Sequence, residues 1–208
     1  MKPYLLGITG GIGSGKSSVS RLLASVCGAP LVDVDQCCRQ LLEVGQPGWQ
    51  ALRERFGDRF LLADGQLDRV GLRERLFADP AVRREVDALL HPLAREAMHR
   101  AVMRHDVPLV LVEIPLLYEA GWQDEVDGVL VVSARPGAQC CRVMRRDGVS
   151  RRSAARAIAA QMDLGEKARQ ADWVIDNSGS WAEVREQTAA LGRQLAARFS
   201  PRADQESA

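Results

Sequence analysis

Short, almost wholly apolar runs alternate along the chain with longer segments in which apolar residues recur every three or four positions. The apolar runs lie at 4–9, 31–34, 109–114, 129–133 and 173–176. Runs of this length predict strands that are buried on both faces, which is typical of parallel sheets. Helical patterns between the runs suit right-handed crossovers. The pattern therefore predicts an α/β fold with a five-stranded parallel sheet between layers of helices.

The interval between the second and third runs is too long for a single crossover. Trp49, Leu52 and Phe56 have helical spacing, and similar patterns follow at 72–76 and 82–90. His91-Pro92 predicts the start of a further helix, because proline suits the first helical position. We predict a core at 1–35 and 106–200, a helical insertion at 36–105 that forms a second lobe, and a flexible tail at 201–208.

A segment dense in arginine follows the fourth apolar run. Ser150 is a plausible N-cap for a helix that begins at Arg151, which makes 137–163 a helical hairpin. Such a hairpin could be a lid over phosphates, and the alternative for each arginine is a solvated helix face. The arginines concerned are Arg142, Arg145, Arg146, Arg151, Arg152 and Arg156.

Composition narrows the class of protein. Among 208 residues, 28 are Lys or Arg and 27 are Asp or Glu, so the net charge of +1 favours neither nucleic acid nor an anionic membrane as partner. The chain has no apolar run of about 18 residues and no signal-peptide pattern, and we expect a cytoplasmic protein. The five cysteines lack metal-binding spacing, so we expect reduced thiols and assign them no function.

The segment 10–17 reads Gly-Gly-Ile-Gly-Ser-Gly-Lys-Ser, which fits the phosphate-binding P-loop, G-x-x-x-x-G-K-[ST]. It follows a predicted strand and precedes a predicted helix, as such a loop requires. Backbone amides at the helix N-terminus would bind phosphate, Lys16 would reach the β- and γ-phosphates, and Ser17 would be a ligand for Mg²⁺. The sequence thus predicts a P-loop NTPase fold. The predicted nucleotide-binding residues are Gly13, Ser14, Gly15, Lys16, Ser17 and Ser18.

Three carboxylates stand at predicted strand ends, where ligands bind in open parallel sheets. Asp33 and Asp35 would share one side if 32–35 stays extended, and Glu113 ends the third strand. We expect Asp35 to accept the proton of an attacking hydroxyl, and Asp33 or Glu113 to hold Mg²⁺ through water. The alternative is that these acids cap helices or pair with arginines.

Other motifs indicate which class of P-loop protein this is. The guanine-reading Asn-Lys-x-Asp and the transporter signature Leu-Ser-Gly-Gly-Gln do not occur, and the D-x-x-G match at 68–71 lies among helical residues. A small-molecule kinase needs an acceptor lobe and an arginine lid, and both have candidates. Another nucleoside or nucleotide kinase and an ATP-binding regulator without turnover are the alternatives.

An ordered set of motifs resembles the dephospho-CoA kinase family over about residues 4–180. The matching segments are 7–17, 33–35, 63–69, 72–80, 89–92, 114–119, 145–148, 159–162 and 171–179. This resemblance implies transfer of the γ-phosphoryl group of ATP to the ribose 3′-hydroxyl of dephospho-CoA, the last step of coenzyme A biosynthesis. It also implies that 36–105 is a CoA-binding lobe.

Site residues carry over from this resemblance by position. The catalytic set is Asp35 as general base with Lys16, Arg142 and Arg146 at the phosphates. Ser17 would bind Mg²⁺, with Asp33 or Asp35 contributing through water. The resemblance gives Glu113 no fixed role, because its position varies in the family. The substrate-binding set is Asp35, Arg73, His91 and Leu116. We expect a monomer or a weak homo-oligomer.

Overall fold

The computed structural model describes residues 2–199, and the tail predicted for 201–208 lies outside them. Its sheet has five parallel strands in the order β2-β3-β1-β4-β5, which confirms the sheet predicted from the apolar runs. The strands are β1 (Tyr4–Gly10), β2 (Leu31–Asp33), β3 (Leu109–Glu113), β4 (Gly128–Ser133) and β5 (Trp173–Asp176).

The central strand, β1, carries the P-loop at its carboxyl end. It pairs with β3 on one side and β4 on the other, so that Ile8 is in register with Glu113 and with Leu130. From β1 the chain goes first to β2 and β3 on one side and then to β4 and β5 on the other. Ligands of open α/β sheets bind at such a reversal, outside the carboxyl ends of the strands.

One face of the sheet packs against helices α1 (Lys16–Cys27) and α9 (Trp181–Phe199). Alternate strand residues such as Leu6 and Ile8 are fully buried there against Val19 and Leu23 of α1. Full burial of one such aliphatic side chain is worth about 1.5–3 kcal/mol relative to its exposure. This packing anchors α1, and with it the helical end of the P-loop.

Residues Val34–Arg104 form a compact unit of their own. It contains α2 (Val34–Leu41), α3 (Pro47–Phe56), α4 (Arg69–Ala78) and α5 (Pro80–Val102). Leu52, Phe60, Leu72 and Val86 belong to its separate hydrophobic core. The helical segments predicted from apolar spacing are therefore confirmed, while the role of this unit as an acceptor lobe stays a prediction.

The prediction that His91-Pro92 opens a helix was wrong. Both residues lie inside α5, a helix of 23 residues. The helix begins twelve residues before Pro92, because the Asp79 carboxylate accepts hydrogen bonds from the amides of Ala81 and Val82 and Pro80 occupies the first turn. The Asp79-Pro80 pair carries both helix-start signals.

The condition under which Asp33 and Asp35 would share one side, an extended chain over 32–35, is not met. Strand β2 ends at Asp33, the last residue paired with β3, and α2 begins at Val34. Asp35 lies in the first turn of α2, where the helix dipole favours a carboxylate. The period-two argument that placed Asp33 and Asp35 on one side therefore does not hold.

The D-x-x-G match at 68–71 has a structural explanation. Asp68 is the N-cap of α4, and its carboxylate accepts a hydrogen bond from the amide of Gly71 at 2.9 Å. The spacing is thus that of a helix cap, as expected for a match outside a strand end.

The arginine-dense segment forms two packed helices, α6 (Pro136–Asp147) and α7 (Arg151–Ala159), followed by the short α8 (Leu164–Arg169). The hydroxyl of Ser150 accepts a hydrogen bond from the amide of Ser153, which confirms the predicted cap. None of the helices within residues 2–199 combines the length and the apolar character needed to cross a bilayer.

Candidate active site

The P-loop has a backbone that requires glycine. Gly13 and Gly15 have φ values of 74° and 88°, in the left-handed region that L side chains rarely adopt. A Cβ atom on Gly13 would lie 2.6 Å from the carbonyl oxygen of Gln139, and one on Gly15 would collide with the Asn177 amide. Both positions therefore exclude larger residues for conformational and steric reasons.

The start of α1 is built for an anion. Gly15 occupies the N-cap and supplies no side chain, and the first turn holds no acidic residue. The Ser14 hydroxyl is buried and has no hydrogen-bond partner within residues 2–199. Uncapped amides at a helix N-terminus, beside a buried polar atom that needs a partner, fit a bound phosphate.

Lys16 and Ser17 meet at one carboxylate oxygen. Lys16 Nζ and Ser17 Oγ both donate to Oε1 of Glu113, the latter at 2.5 Å. Glu113 ends β3 and is only 5% exposed. Burial by itself raises the pKa of Glu113, but the charge of Lys16 and the hydrogen bonds from Lys16 and Ser17 hold that pKa below its ordinary value. Glu113 is thus a carboxylate that stays ionised.

These oxygen donors fit Mg²⁺, which is commonly held by one or two protein groups together with water and substrate phosphates. The Ser17 hydroxyl and the Glu113 carboxylate form such a pair at the end of the loop. Asp33 is the register partner of Glu113 on β2 and so lies at the same edge of the sheet. No cluster of three or more His, Cys, Asp or Glu side chains suited to a metal occurs in the described part of the chain.

The two predicted lid arginines have different surroundings. Arg142 donates to the backbone carbonyls of Gly13 at 3.4 Å and Ser14 at 3.3 Å, and to that of Asn177 at 2.8 Å. Arg146 hydrogen-bonds to the carboxylate of Asp147 at 2.6 and 2.8 Å. The structure therefore brings Arg142 to the backbone of the P-loop, while the bonds of Arg146 are to its own neighbour.

The other predicted residues are distributed over both compact units. Asp35, Arg73 and His91 belong to the helical unit, and Leu116 belongs to the unit that holds the sheet. Nε2 of His91 lies 3.9 Å from an Asp87 carboxylate oxygen, one turn earlier on α5. Leu116 follows β3 and is 42% exposed. Their contacts with a substrate stay predictions.

Three side chains that the sequence did not single out bind the P-loop backbone. Gln139 Nε2 donates to the carbonyl of Ile12 at 2.9 Å, and the amide of Ile12 donates to Gln161 Oε1 at 2.7 Å. Asn177 Nδ2 donates to the carbonyl of Ser14 at 2.7 Å. Two general signals were present in the sequence: Gln139 and Gln161 fall inside the predicted hairpin at 137–163, and Gln161 and Asn177 fall inside segments that match the family motifs.

A cavity of about 680 Å³ opens beside the loop. It is formed by the segments after β4 and β5 and by the connection from α7 to α8, and its lining includes Gly11, Arg135, Gln139, Met162 and Ser178. This volume lies within the range of small-ligand pockets. The cavity can therefore receive a nucleoside next to the phosphate-binding loop.

Comparison with known proteins identifies the family. The family model for dephospho-CoA kinase matches residues 4–183. The chain belongs to the dephospho-CoA kinase family. Among relatives, the dephospho-CoA kinase of Thermosynechococcus vestitus is 42% identical over 179 residues, which cover 86% of this chain and 88% of that protein.

Solved structures agree on the fold. The crystal structure of a Thermus thermophilus protein has a TM-score of 0.82 at 38% identity and covers 95% of this chain and 98% of its own. Dephospho-CoA kinase from Campylobacter jejuni has a TM-score of 0.67 at 22% identity, with 93% of this chain and 98% of that chain covered. The predicted α/β fold and the predicted kinase family are both confirmed.

Proposed function

We propose that this chain transfers the γ-phosphoryl group of ATP to the ribose 3′-hydroxyl of dephospho-CoA, giving CoA and ADP. The observation that carries the proposal is the convergence of Lys16 and Ser17 on Glu113 at the carboxyl end of β3, in a P-loop of a dephospho-CoA kinase family member. The P-loop supports ATP as the phosphoryl donor, and membership in the family supports dephospho-CoA as the phosphoryl acceptor.

On the donor side, we expect the P-loop amides to bind the phosphates and Lys16 to meet the transferring group. Ser17 would bind Mg²⁺ with Glu113 beside it, and the hydrogen bond of 2.5 Å between these two side chains supports this arrangement. The ion, when bound, supplies positive charge that stabilises the phosphate oxygens. Arg142 and Arg146 of α6 are the proposed source of further charge as the transition state forms.

On the acceptor side, the 3′-oxygen forms a bond to the γ-phosphorus while the bond from that phosphorus to the ADP oxygen breaks. Asp35 accepts the hydroxyl proton, and ADP is the leaving group. Arg73, His91 and Leu116 are proposed to contact dephospho-CoA. The exposed carboxylate of Asp35, two residues after the last residue of β2, supports its role as base.

Asp35→Asn tests the base. The amide keeps the shape of the side chain and cannot accept the proton, so kcat should fall by about 10²–10⁴-fold. Circular dichroism and ATP affinity serve as controls for folding and donor binding. Turnover near that of the unmodified protein would remove Asp35 from the base role.

An acceptor panel tests the reaction itself. ADP release from Mg·ATP should be rapid with dephospho-CoA and slow with AMP, nucleosides or water alone. Turnover with a nucleoside instead would indicate a nucleoside or nucleotide kinase, and no turnover with any acceptor would indicate an ATP-binding regulator.

We also propose that the protein is a cytoplasmic monomer or weak homo-oligomer. A reducing compartment suits five cysteines that form no disulfide within residues 2–199.

A further inference from the structure

The carbonyl groups of the P-loop are held by side chains that lie outside the loop. Gln139 binds the carbonyl of Ile12, and Asn177 binds that of Ser14. We propose that Gln139 and Asn177, assisted by Gln161, are positioning residues that aim the P-loop amides at phosphate. The proposal rests on the proposed function only in that the loop binds ATP.

The chemistry of the backbone fixes the orientation of both glutamine amides. A carbonyl only accepts, so Gln139 must present its NH₂ group to Ile12; a backbone amide only donates, so Gln161 must present its oxygen. The two peptide groups that flank Ile12 are therefore each held by one side chain: a donor on α6 binds the Ile12 carbonyl, and an acceptor between α7 and α8 binds the Ile12 amide. Gln139 must therefore act as a hydrogen-bond donor and Gln161 as a hydrogen-bond acceptor.

Each carbonyl that is held determines the direction of one amide. In a planar trans peptide the C=O and the following N–H point in opposite directions. Gln139 on the Ile12 carbonyl thus directs the N–H of Gly13, and Asn177 on the Ser14 carbonyl directs the N–H of Gly15. Amides of a glycine-rich loop are the groups that cradle phosphates.

Burial makes these two bonds hard to replace. Gln139 is 3% exposed and Asn177 is 5% exposed, so water has little access to either amide. Glycines with positive φ flank the held carbonyls and would otherwise allow the loop many conformations. Arg142 also reaches the Ser14 carbonyl, but at 3.3 Å compared with 2.7 Å for Asn177. Asn177 is therefore the closer of the two donors.

If these residues direct the P-loop amides, their loss should weaken the binding of the ATP phosphates and leave the binding of the adenosine part unchanged. Variants that lose a donor should bind ATP more weakly, because the loop amides no longer converge on the anion. Binding of adenosine, which lacks phosphate, should change little. A general loss of structure would weaken both ligands together.

Near-isosteric variants distinguish loss of a hydrogen-bond donor from the mere addition of negative charge. Asn177→Asp and Gln139→Glu each replace the donating NH₂ group by an oxygen, while Gln161→Glu keeps an acceptor for the Ile12 amide. Gln170→Glu, at an exposed position after α8, is the matched control for added negative charge. Calorimetric titration with a non-hydrolysable Mg·ATP analogue and with adenosine gives the affinities, after circular dichroism has shown that each variant is folded.

We expect Asn177→Asp and Gln139→Glu to raise the Kd for the ATP analogue about tenfold or more, since each removes the closest side-chain donor to a P-loop carbonyl. Gln161→Glu should stay within about threefold and Gln170→Glu within about twofold on the same scale, with adenosine affinity unchanged throughout. If either donor variant does not fold, Asn177→Ser and Gln139→Leu repeat the test without added charge.

Three results would overturn the proposal: unchanged ATP affinity in the donor variants, equal loss of ATP and adenosine affinity, or equal loss in all three glutamine-to-glutamate variants. The titration requires no dephospho-CoA and no turnover. An unmodified protein that binds ATP but does not phosphorylate dephospho-CoA would therefore refute the proposed function and leave the positioning role open to test.

Discussion

Two lysine–glutamate pairs in the sheet-containing unit share the same chemistry and differ in their surroundings. Lys16 pairs with Glu113 at the P-loop, and their side chains are 11% and 6% exposed. Lys167 of α8 pairs with Glu119 at 2.7 Å, and the corresponding values are 0% and 22%. The ammonium of Lys167 makes an ion pair but no well-aligned hydrogen bond within residues 2–199.

The other partners of each glutamate indicate that one pair is functional and the other structural. Glu113 also accepts from Ser17, so its pair lies at the start of α1, where an anion would offer Lys16 a second partner. Glu119 also accepts from the amide of Met162, so its pair ties the start of α8 to the segment after β3. A lysine without solvent access cannot change partner unless the structure opens. Burial of an ion pair alone therefore does not identify a functional lysine.

Lys167→Met should have the largest effect on stability. The substitution leaves Glu119 without its counter-charge, and breaking a buried pair costs about 3–5 kcal/mol of unfolding free energy. Urea denaturation measures this loss. Arg169→Met, which removes an exposed pair with Glu166, is the control and should cost about 1 kcal/mol or less. Equal losses in the two variants would show that Lys167 is no more structural than a surface residue.

Glu113→Gln should have an intermediate effect, on the metal requirement. The amide can still accept from Ser17 but carries no charge to attract Mg²⁺, so the Mg²⁺ concentration for half-maximal rate should rise about tenfold, the equivalent of 1.4 kcal/mol. A Mg²⁺ titration at fixed ATP measures it, with the exposed Glu166→Gln as control. An unchanged requirement would exclude Glu113 from the metal site.

The smallest effect should be on stability in acid. Because the pKa of Glu113 is lowered in the folded protein, its contribution is complete above its unfolded pKa and is lost as pH falls through the folded pKa. The unmodified protein should therefore lose more unfolding free energy than Glu113→Gln as pH falls from neutral to below the ordinary carboxyl range. Urea denaturation at a series of pH values gives both curves. Parallel curves would contradict the lowered pKa.

Much of the fold could be predicted because it depends on local patterns. Apolar runs identified all five strands, and Ser150 identified the start of α7. The errors arose where two local signals competed. His91-Pro92 resembles a helix start, but Asp79 and Pro80 had already begun that helix, and pairing between β2 and β3 ended before Asp35.

The site was only partly predictable, because its supporting contacts are distant in sequence. The P-loop motif identified Lys16 and Ser17 as local features. The bond from Lys16 to Glu113 joins residues 97 positions apart, and that from Ile12 to Gln161 joins residues 149 apart. Spacing rules for helices and strands apply only to residues a few positions apart. These long-range pairs follow instead from strand order and from the packing of α6 and α8 around the loop.

Turnover of dephospho-CoA by folded Lys16→Met and Lys167→Met tests the central claim most directly. Both variants are measured with saturating Mg·ATP, below their unfolding midpoints, and CoA is quantified by mass spectrometry. Loss of the charge at the transferring phosphate should lower kcat for Lys16→Met by about 10²–10³-fold, whereas Lys167→Met should stay within about threefold of the unmodified protein. Full activity of Lys16→Met, or equal losses in both variants, would contradict the division into one functional and one structural pair.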